Sequence, residues 1–263
     1  MKPRVSIILT TKNNEHIIER CLRSVAEQTY PYIELIVVDN FSIDQTLTIA
    51  QRFTKKTYSH GPERSAQRNY GFRHAQGDYL FFIDSDMELQ RDTVQKCMHI
   101  TKQGHGALIV DEQFIGRGYW SQCKALEKRC YTGTQDAEAA RFVKKTLFLK
   151  IKGYDELLTG PEDLDLHKRL MPLTSLGRAS GIIHHDDYLT FSSLLKKRFY
   201  YSRSLRRYFA KHPQAKQQEF RFIRVAFLKR WKILAADPFH SLGLIFLRVG
   251  EGFATILALL RTR

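Results

Sequence analysis

The sequence predicts an α/β protein built on a mixed, mostly parallel sheet with helices on both faces. Three short runs of apolar and β-branched residues each end in a polar side chain, at Thr10, Asp39 and Asp84. Such runs are typical of strands buried on both faces, and helical patterns separate them along the chain. This alternation favours a doubly wound, Rossmann-like sheet, in which ligands bind beyond the carboxyl ends of the strands. We therefore expect the three polar ends to gather along one edge.

The first half of the chain supplies these elements in order. We expect strands at Val5–Thr10, Ile33–Asp39 and Tyr79–Asp84 and helices over about residues 15–28, 43–53 and 60–75. Asn13 or Asn14 can cap the first helix, because short polar side chains accept hydrogen bonds from the free N–H groups of a helix start. Ser42, followed by Gln45 three residues later, predicts a capping box for the second helix.

The third strand runs directly into a pair of acids, Asp84 and Asp86. Side chains two residues apart on an extended chain share a face, so both carboxylates can reach one point. Two hard oxygen ligands there suit Mg²⁺ or Mn²⁺ holding a diphosphate. The competing interpretation is a strand followed by an Asx turn, which the two acids taken alone would favour.

The second half continues the alternation and then changes character. We expect helices over about residues 91–102 and 119–130, a strand over 107–114, a helix opening at 160–166, and a strand and turn over 177–187, whereas 138–150 fits neither pattern. Beyond Phe191 the pattern is one of basic helices, among them an amphipathic helix over residues 219–235. A last, apolar helix is expected over Leu242–Leu260, where Arg248 and Glu251 leave an uninterrupted run too short to span a bilayer.

Charge is distributed unevenly along the 263 residues. The net charge is +15, and residues 190–236 alone contain thirteen Lys or Arg and one acid, Glu219. This asymmetry predicts a near-neutral domain over residues 1–189 and a basic helical extension over 190–263. Four cysteines form no CxxC pair, which favours reduced thiols in a cytosolic protein. The N-terminal apolar run is too short for a signal peptide.

Eight short motifs occur in a fixed order over roughly residues 4–210. They are VSIILTTKN (Val5–Asn13), IVVDNFS (Ile36–Ser42), GPERSAQRNYG (Gly61–Gly71), GDYLFFIDSDM (Gly77–Met87), AARF (Ala139–Phe142), Gly153–Glu156, GPEDLDL (Gly160–Leu166) and His184–Asp187. One such motif would be weak, but the ordered set is specific. Together they make the chain resemble the family-2 glycosyltransferases, which have the GT-A fold. The resemblance implies a nucleotide-sugar-binding half over residues 1–88 and an acceptor half over 89–189.

The resemblance implies that the ends of the first strands line the nucleotide site. The residues that it assigns there are Thr10, Thr11, Asn13, Asp39, Asn40, Arg64, Arg68 and Asp84. Many relatives carry two acids where this chain has Asp39 and Asn40, and an amide offers a base edge both a donor and an acceptor. The base of the donor nucleotide can therefore be uracil or guanine, and we expect a UDP- or GDP-sugar. Arg64 and Arg68 lie four apart on a helix face that can point at the diphosphate, although a solvated face competes for Arg64.

The resemblance also assigns a metal site. The ligands that it implies for Mg²⁺ or Mn²⁺ are Asp86, Asp84 and His185, or His184 in place of His185. The adjacent acids Asp186–Asp187 are expected to orient the imidazole. A divalent cation there would neutralise the charge that develops on the departing nucleoside diphosphate.

The catalytic base that the resemblance implies is Asp163, with Glu162 positioning it, since one carboxylate of this pair deprotonates the acceptor hydroxyl in relatives. The competing interpretation is that acids in a first turn stabilise a helix, by about 0.3–1 kcal/mol, without any chemistry. Trp120, Tyr154 and Arg141 are expected either to shape the acceptor and sugar pockets or, for the aromatic residues, to pack in the core.

These assignments predict an inverting, metal-dependent glycosyltransferase that acts on a polyprenyl-diphosphate-linked or glycan acceptor in envelope or surface polysaccharide synthesis. The basic helices suit the anionic inner face of a cell membrane, to which a cytoplasmic protein would bind peripherally, and we favour this partner over nucleic acid. An oligomer interface at Leu242–Leu260 is a third interpretation. The alternative function is a nucleotide- or nucleic-acid-binding protein without transfer activity.

Overall fold

A computed structural model describes residues 2–133, 138–185, 189–215 and 225–261. The chain divides into two compact units. The sheet unit comprises residues 1–112, 139–156 and 162–184, and the helical unit comprises 113–138, 157–161 and 185–263. The helical unit therefore includes residues 113–138, which charge alone did not separate from the N-terminal domain.

The strands form one mixed sheet. Their bounds are β1 Val5–Thr11, β2 Ile33–Asp39, β3 Thr57–Ser59, β4 Tyr79–Asp84, β5 Met87–Leu89, β6 Ala107–Ile115, β7 Ala140–Lys144 and β8 Leu176–His185. In space the order is β3-β2-β1-β4-β7-β6-β8-β5. The first four of these pair in parallel, whereas β7 is antiparallel to both β4 and β6, and β5 is antiparallel to β8.

The register of the parallel strands brings the polar strand ends together. Thr10 lies beside Asp84 on one side, and Thr11 lies beside Asp39 on the other. Because the three strands run in the same direction, their carboxyl ends meet at one edge of the sheet. The expected gathering of these side chains is confirmed.

Helices cover both faces of the sheet. In chain order they are α1 Ile18–Ala26, α2 Thr46–Gln51, α3 Arg64–His74, α4 Thr93–Thr101, α5 Tyr119–Tyr131, α6 Lys145–Lys150, α7 Glu162–Leu170, α8 Phe191–Ser202, α9 Leu205–Lys211, α10 Val225–Lys229, α11 Trp231–Ala235 and α12 Pro238–Arg261. Phe81 and Ile83 share a buried apolar cluster with residues of α1 and α4. Leu80 and Phe82, which point the other way along β4, share a second cluster with residues of α6 and α7.

Local structure differs from the sequence-based expectation in four places. The cap at Asn13 or Asn14 is wrong, because the first helix begins only at Ile18, after Ile17, and no side chain caps it. The capping box at Ser42 is wrong, because the Ser42 backbone donates to Asp39 at 2.7 Å and the helix begins only at Thr46. The unassigned residues 138–150 supply β7 and then α6. The single helix expected over 219–235 is wrong for its described part, where α10 and α11 are separated at Arg230; residues 219–224 lie outside the described residues.

The two charged residues that interrupt α12 are paired with charges on α5. Glu251 lies 3.1 Å from the ammonium of Lys124 and 2.9 Å from the guanidinium of Arg248. Glu127 contacts the same Lys124 and lies 3.6 Å from Arg248. We call these four residues the ion-pair quartet. Its charges balance, so the quartet lets an apolar helix carry two charges inside the helical unit.

Helix α12 is longer than the sequence-based argument allowed. Its 24 residues have a mean hydropathy of 1.8 over the most apolar window. At 1.5 Å per residue the helix is about 36 Å long, although Arg248 and Glu251 still divide it into apolar runs that are each shorter than a bilayer requires. The helix is long and apolar enough to cross a membrane by length and composition alone, a test that buried helices of soluble proteins also pass. All four cysteines are buried free thiols.

Candidate active site

Side chains at the ends of β1 and β2 hold the loops that follow them. Asn13 donates its backbone N–H to the Ser42 hydroxyl at 2.7 Å and accepts from the Ile43 backbone at 3.0 Å through Oδ1. Asn13 has a φ of 49°, in the left-handed region that asparagine tolerates. Asp39 is almost fully buried and accepts from the Ser42 backbone. Both residues thus shape the loop at the sheet edge.

Gln67 ties the same strand ends to α3, and sequence reasoning missed it. Its buried amide donates to the backbone oxygen of Thr11 at 3.0 Å and to that of Val38 at 2.6 Å. Asn40 is also buried, with its backbone donating to Thr11 at 2.9 Å and its amide donating to the carbonyl of Pro62. The feature of the sequence that could have identified Gln67 is its position directly before Arg68, a candidate site residue.

Asp84 is held by one hydroxyl and by arginines. Thr10 donates to Oδ1 at 2.9 Å, and Arg68 donates to the two oxygens at 2.9 and 3.3 Å. Arg64 and Arg141 lie within 3.8 and 3.6 Å. Burial opposes ionisation of this carboxyl, but the three guanidiniums outweigh it and hold the pKa of Asp84 well below its usual range. Asp84 is therefore a carboxylate at neutral pH.

Arg68 joins the strand end to helix α7. Its fully buried guanidinium donates to Asp163 at 2.7 Å through Nη1, while Nη2 reaches Asp84. The same group lies 5.1 Å from the ring centroid of Tyr154, a cation–π distance. Arg64, one helical turn earlier, donates to Glu162 at 2.8 Å. The shared face of these arginines thus points at acids, which excludes the solvated face considered for Arg64.

Glu162 and Asp163 begin α7 and differ in their surroundings. Glu162 is 1% exposed, whereas the Asp163 side chain is 18% exposed. Burial raises the pKa of Glu162, and the nearby charge of Arg64 only partly opposes this. Oε2 of Glu162 has no hydrogen-bond partner among the residues that the structure describes. The more open of the two carboxylates is therefore Asp163.

Asp86 lies beyond β4 near a histidine of β8. Its side chain is one-third exposed, and Oδ1 is 3.7 Å from Nδ1 of His184. Nε2 of the same imidazole lies 3.1 Å from Glu112. Burial lowers the pKa of His184, but the hydrogen bond and charge of Glu112, together with Asp86, raise it above its ordinary value. His185, the next residue on the strand, points to the other side.

Other residues named from the sequence lie in different settings. Arg141 donates to Glu112 at 2.6 Å and lies 3.9 Å from Asp163, so it belongs to the same group of charges. Tyr154 is buried against Phe82 and Phe148 as well as Arg68. Trp120 lies on α5 in the helical unit and packs there against aromatic rings. The acids Asp186–Asp187 lie outside the described residues.

These contacts define one connected group of charged side chains, which we call the strand-end cluster. Its members are Asp84, Asp86, Glu112, Glu162 and Asp163, with Arg64, Arg68, Arg141 and His184. Sequence reasoning missed Glu112, which lies where β6 changes from buried to half-buried residues.

A divalent cation fits one end of this cluster. Within the described residues, no group of three or more His, Cys, Asp or Glu side chains could hold a metal ion unaided. Asp86 nevertheless offers a partly exposed carboxylate beside an imidazole. Mg²⁺ and Mn²⁺ are commonly held by one or two carboxylates together with substrate phosphates and water. The residues present therefore suit a cation that binds together with a diphosphate.

Comparison with known proteins identifies the family. Residues 6–146 match the model of glycosyl transferase family 2, which is more than half of the chain. The chain is 24% identical over 180 residues to the GalNAc(5)-diNAcBac-PP-undecaprenol beta-1,3-glucosyltransferase of Campylobacter jejuni, covering 61% of this chain and 57% of that protein. It is 30% identical over 118 residues to the poly(ribitol-phosphate) beta-N-acetylglucosaminyltransferase TarS of Staphylococcus aureus, covering 41% of this chain and 20% of that protein. The chain thus spans between a fifth and three fifths of these relatives.

Solved structures share the fold over nearly the whole chain. The mannosyltransferase PcManGT from Pyrobaculum calidifontis, in complex with GDP-Man and Mn²⁺, superposes with a TM-score of 0.66 at 17% identity, covering 97% of this chain and 88% of that one. Residues 1–349 of S. aureus TarS, in complex with UDP-GlcNAc, superpose with a TM-score of 0.57 at 16% identity, covering 97% and 90%. These similarities confirm the GT-A-like fold. Because the family model covers more than half of its residues, the chain belongs to glycosyl transferase family 2.

Proposed function

We propose that this protein is an inverting, metal-dependent glycosyltransferase that moves one sugar from a nucleoside-diphosphate sugar to a hydroxyl group. The observation that carries the proposal is the double ion pair of Arg68. One fully buried guanidinium holds Asp84 at 2.9 Å and Asp163 at 2.7 Å. Asp84, at the end of β4, is thereby fixed relative to Asp163, the acid that suits a general base.

Asp163 is the proposed general base. Transfer to a hydroxyl requires that the acceptor oxygen lose its proton as it bonds to the anomeric carbon and the bond to the diphosphate breaks. The carboxylate of Asp163 takes that proton, since one of its oxygens is fixed by Arg68 and its side chain is partly exposed. Attack from the face opposite the diphosphate inverts the anomeric centre. Glu162, the preceding residue, accepts a hydrogen bond from Arg64 at 2.8 Å and so positions the start of α7 that carries Asp163.

The arginines of the strand-end cluster stabilise the leaving group. Negative charge grows on the diphosphate as the sugar departs, and fixed positive groups aimed at that charge lower the barrier. Arg64 and Arg141 lie 3.8 and 3.6 Å from the same oxygen of Asp84, Oδ2, and supply such groups. A divalent cation at Asp86, when bound, neutralises further negative charge without proton transfer. Asp84 would hold the ribose or help to hold the cation.

The donor is a UDP- or GDP-sugar. The solved structures with the same fold hold UDP-GlcNAc and GDP-Man, so the fold accommodates either base. Asp39 and Asn40, at the end of β2, meet the base, with Thr10, Thr11 and Asn13 around the nucleoside. Asn40 carries both a donor and an acceptor, which suits the mixed edge of either uracil or guanine.

Loss of one acid tests the catalytic proposal. Nucleotide release from a panel of UDP- and GDP-sugars is measured with Mn²⁺ and with EDTA, for the wild type, Asp86→Ala and Asp92→Asn. Asp92 is a half-exposed acid paired only to Lys96 in the next turn of α4 among the described contacts, so it serves as a matched control. We expect release that EDTA and Asp86→Ala abolish and Asp92→Asn preserves. Release that survives Asp86→Ala would refute the metal site.

We further propose that the acceptor is lipid-linked or a glycan and that the enzyme meets it at the anionic inner face of a bacterial cell membrane. One relative is named for a PP-undecaprenol-linked acceptor. Helix α12 presents an exposed apolar face whose members are Phe239, Leu242, Ile245, Phe246, Val249, Phe253, Ile256, Leu257 and Leu260. An apolar helix face beside strongly basic sequence suits insertion between the headgroups of anionic lipids.

Liposome flotation tests this location. We expect the protein to float with vesicles containing phosphatidylglycerol, less in high salt, and much less when Phe246 and Phe253 are changed to Ser. Leu149→Ser changes an apolar residue of α6 that is also more than half exposed; it is the control and should float as the wild type does. Absence of salt-sensitive flotation would refute the membrane proposal. A dimer by light scattering that the two Ser substitutions dissociate would assign the apolar face to an oligomer instead.

A further inference from the structure

One carboxylate of the strand-end cluster, that of Glu112, contacts both Arg141 and His184. We call these two side chains the arginine arm and the histidine arm of the cluster. Oε1 accepts a hydrogen bond from Nε of Arg141 at 2.6 Å, and Oε2 lies 3.1 Å from Nε2 of His184. The Glu112 side chain is one-fifth exposed and the two partners are about one-tenth exposed, so these contacts lie largely out of water. Charged hydrogen bonds of this kind hold their partners in fixed orientations.

Each arm continues to a different part of the site. The other nitrogens of Arg141 lie 3.6 Å from Asp84 and 3.9 Å from Asp163. The other ring nitrogen of His184, Nδ1, lies 3.7 Å from Asp86. Glu112 therefore contacts both the arginine beside the proposed general base and the histidine beside the candidate cation ligand.

The chemistry of a carboxylate at this position fixes the histidine tautomer. An ionised carboxylate only accepts hydrogen bonds, so the neutral imidazole opposite it carries its proton on Nε2. The lone pair of the neutral ring then lies on Nδ1, the nitrogen that faces Asp86. Histidines that bind metals are commonly oriented in this way by a carboxylate that does not itself touch the metal.

We propose that Glu112 is a positioning residue that presents Nδ1 of His184 to the cation and holds Arg141 between Asp84 and Asp163. The proposal rests on the metal-dependent function proposed above. It also assigns His184, not His185, to the cation side of the site. Glu112 itself touches neither the donor nor the cation.

Glutamine at this position separates the two arms. Arginine has only donors, so the amide oxygen of Glu112→Gln must face Arg141, and its NH₂ group must face Nε2 of His184. The imidazole then accepts at Nε2 and carries its proton on Nδ1, where it can no longer bind a cation. The arginine arm stays intact. Glu112→Asp keeps an acceptor-only group and tests rescue.

Cation affinity is the first measurement. Mn²⁺ is titrated into the 263-residue chain saturated with UDP or with GDP, and binding is followed by electron paramagnetic resonance and calorimetry. We expect Glu112→Gln to weaken Mn²⁺ binding about 10- to 100-fold, the usual loss for such orienting partners, and Glu112→Asp to restore part of it. Asp111→Asn is the control, because Asp111 precedes Glu112 on β6 and pairs with Arg178 instead.

The tautomer itself is the second measurement and needs no metal or activity. Long-range ¹H–¹⁵N spectra, recorded above the pH at which the imidazole titrates, report which nitrogen carries the proton, and His184→Gln identifies the signal. We expect Nε2–H in the wild type and Nδ1–H in Glu112→Gln. Wild-type Mn²⁺ affinity or an unchanged tautomer in Glu112→Gln would overturn the proposed role of Glu112 and leave the proposed function standing. Absence of Mn²⁺ binding by the wild type with either nucleotide would overturn the proposed function as well.

Discussion

Two largely buried groups of opposite charges lie within the described residues, and they are built differently. In the ion-pair quartet, two acids face two bases, and each acid contacts both bases. In the strand-end cluster, five carboxylates face three guanidiniums and one imidazole. The quartet satisfies its own charges, whereas the cluster has an excess of negative charge at its partly exposed members, Asp86 and Asp163.

This difference separates a structural charge group from a functional one. In the quartet the formal charges of two acids and two bases cancel, and its role is to let α12 pack against α5 with charges in its middle. An acid-rich cluster at the carboxyl edge of a parallel sheet has carboxylates in excess of its bases. These carboxylates can bind a cation, as proposed for Asp86, or accept a proton, as proposed for Asp163. Perturbed groups of this kind concentrate where ligands bind. Substitutions in the two groups should therefore have different consequences for transfer.

The largest effect is expected at Arg68. Arg68→Met leaves Asp84 and Asp163 without the guanidinium that pairs them, so we expect the free energy of unfolding to fall by about 3–5 kcal/mol. Transfer should be lost even where the variant remains folded. Urea denaturation and donor turnover measure the two effects. Arg73→Met, an exposed arginine of the same helix that lies over Tyr70, should change neither by a large amount, and equal losses in both variants would contradict the account.

A single break in the quartet should affect stability alone. Glu251→Gln leaves Lys124 and Arg248 with less negative charge, and we expect it to lower the free energy of unfolding by about 3 kcal/mol. Turnover per folded molecule should match the wild type at a temperature well below the transition. A fall in turnover that exceeds the unfolded fraction would mean that the quartet takes part in the reaction.

Complete replacement of the quartet should reverse that loss. When Lys124, Glu127, Arg248 and Glu251 all become Met or Leu, no charge remains to be desolvated, so stability should be unchanged or rise by about 1–4 kcal/mol. Chemical denaturation compares this variant with the wild type and with Glu251→Gln. A stability as low as that of the single variant would show that the quartet stabilises through its charges.

The smallest effect is a difference in pH dependence between two acids of the strand-end cluster. The pKa of Glu162 is raised by burial, so its ionisation destabilises the fold only as pH rises past about 4.3 and through the folded pKa. Asp84 has a lowered pKa, so its stabilising effect exists above about 3.9 and is lost as pH falls through the folded pKa.

The two variants should therefore respond to pH in opposite ways. Relative to the wild type, Glu162→Gln should gain stability from acid to neutral pH, and Asp84→Asn should lose it. Melting temperatures from about pH 2 to pH 8 measure both trends, because the loss at Asp84 occurs below about 3.9. Parallel trends would contradict the assignment of burial as the dominant influence on Glu162 and of the arginines as the dominant influence on Asp84.

The sequence predicted the parallel part of the site well, because local pattern and strand direction decide it. Thr10, Asp39 and Asp84 end adjacent parallel strands, and runs of apolar residues before them show where those strands stop. The spacing of Arg64 and Arg68 similarly put both on one face of α3.

The antiparallel half was harder to predict, since its contacts join residues far apart in sequence. Glu112, Arg141 and His184 lie on β6, β7 and β8, and only the strand order brings them together. No local pattern marks Glu112. The pairing of Arg248 and Glu251 with α5 was likewise invisible, so these charges were read only as interruptions of an apolar helix.

The most direct test of the central claim is to separate donor binding from transfer at Asp163. Nucleotide binding with Mn²⁺ is measured by calorimetry, and transfer by product formation, for the wild type and Asp163→Asn. Because Asn keeps an oxygen for Arg68 but cannot accept a proton as a base, we expect binding within about threefold of wild type and transfer reduced at least 100-fold, in the range typical for loss of general base catalysis. Transfer at the wild-type rate, or loss of binding together with transfer, would contradict the assignment of Asp163 as the base.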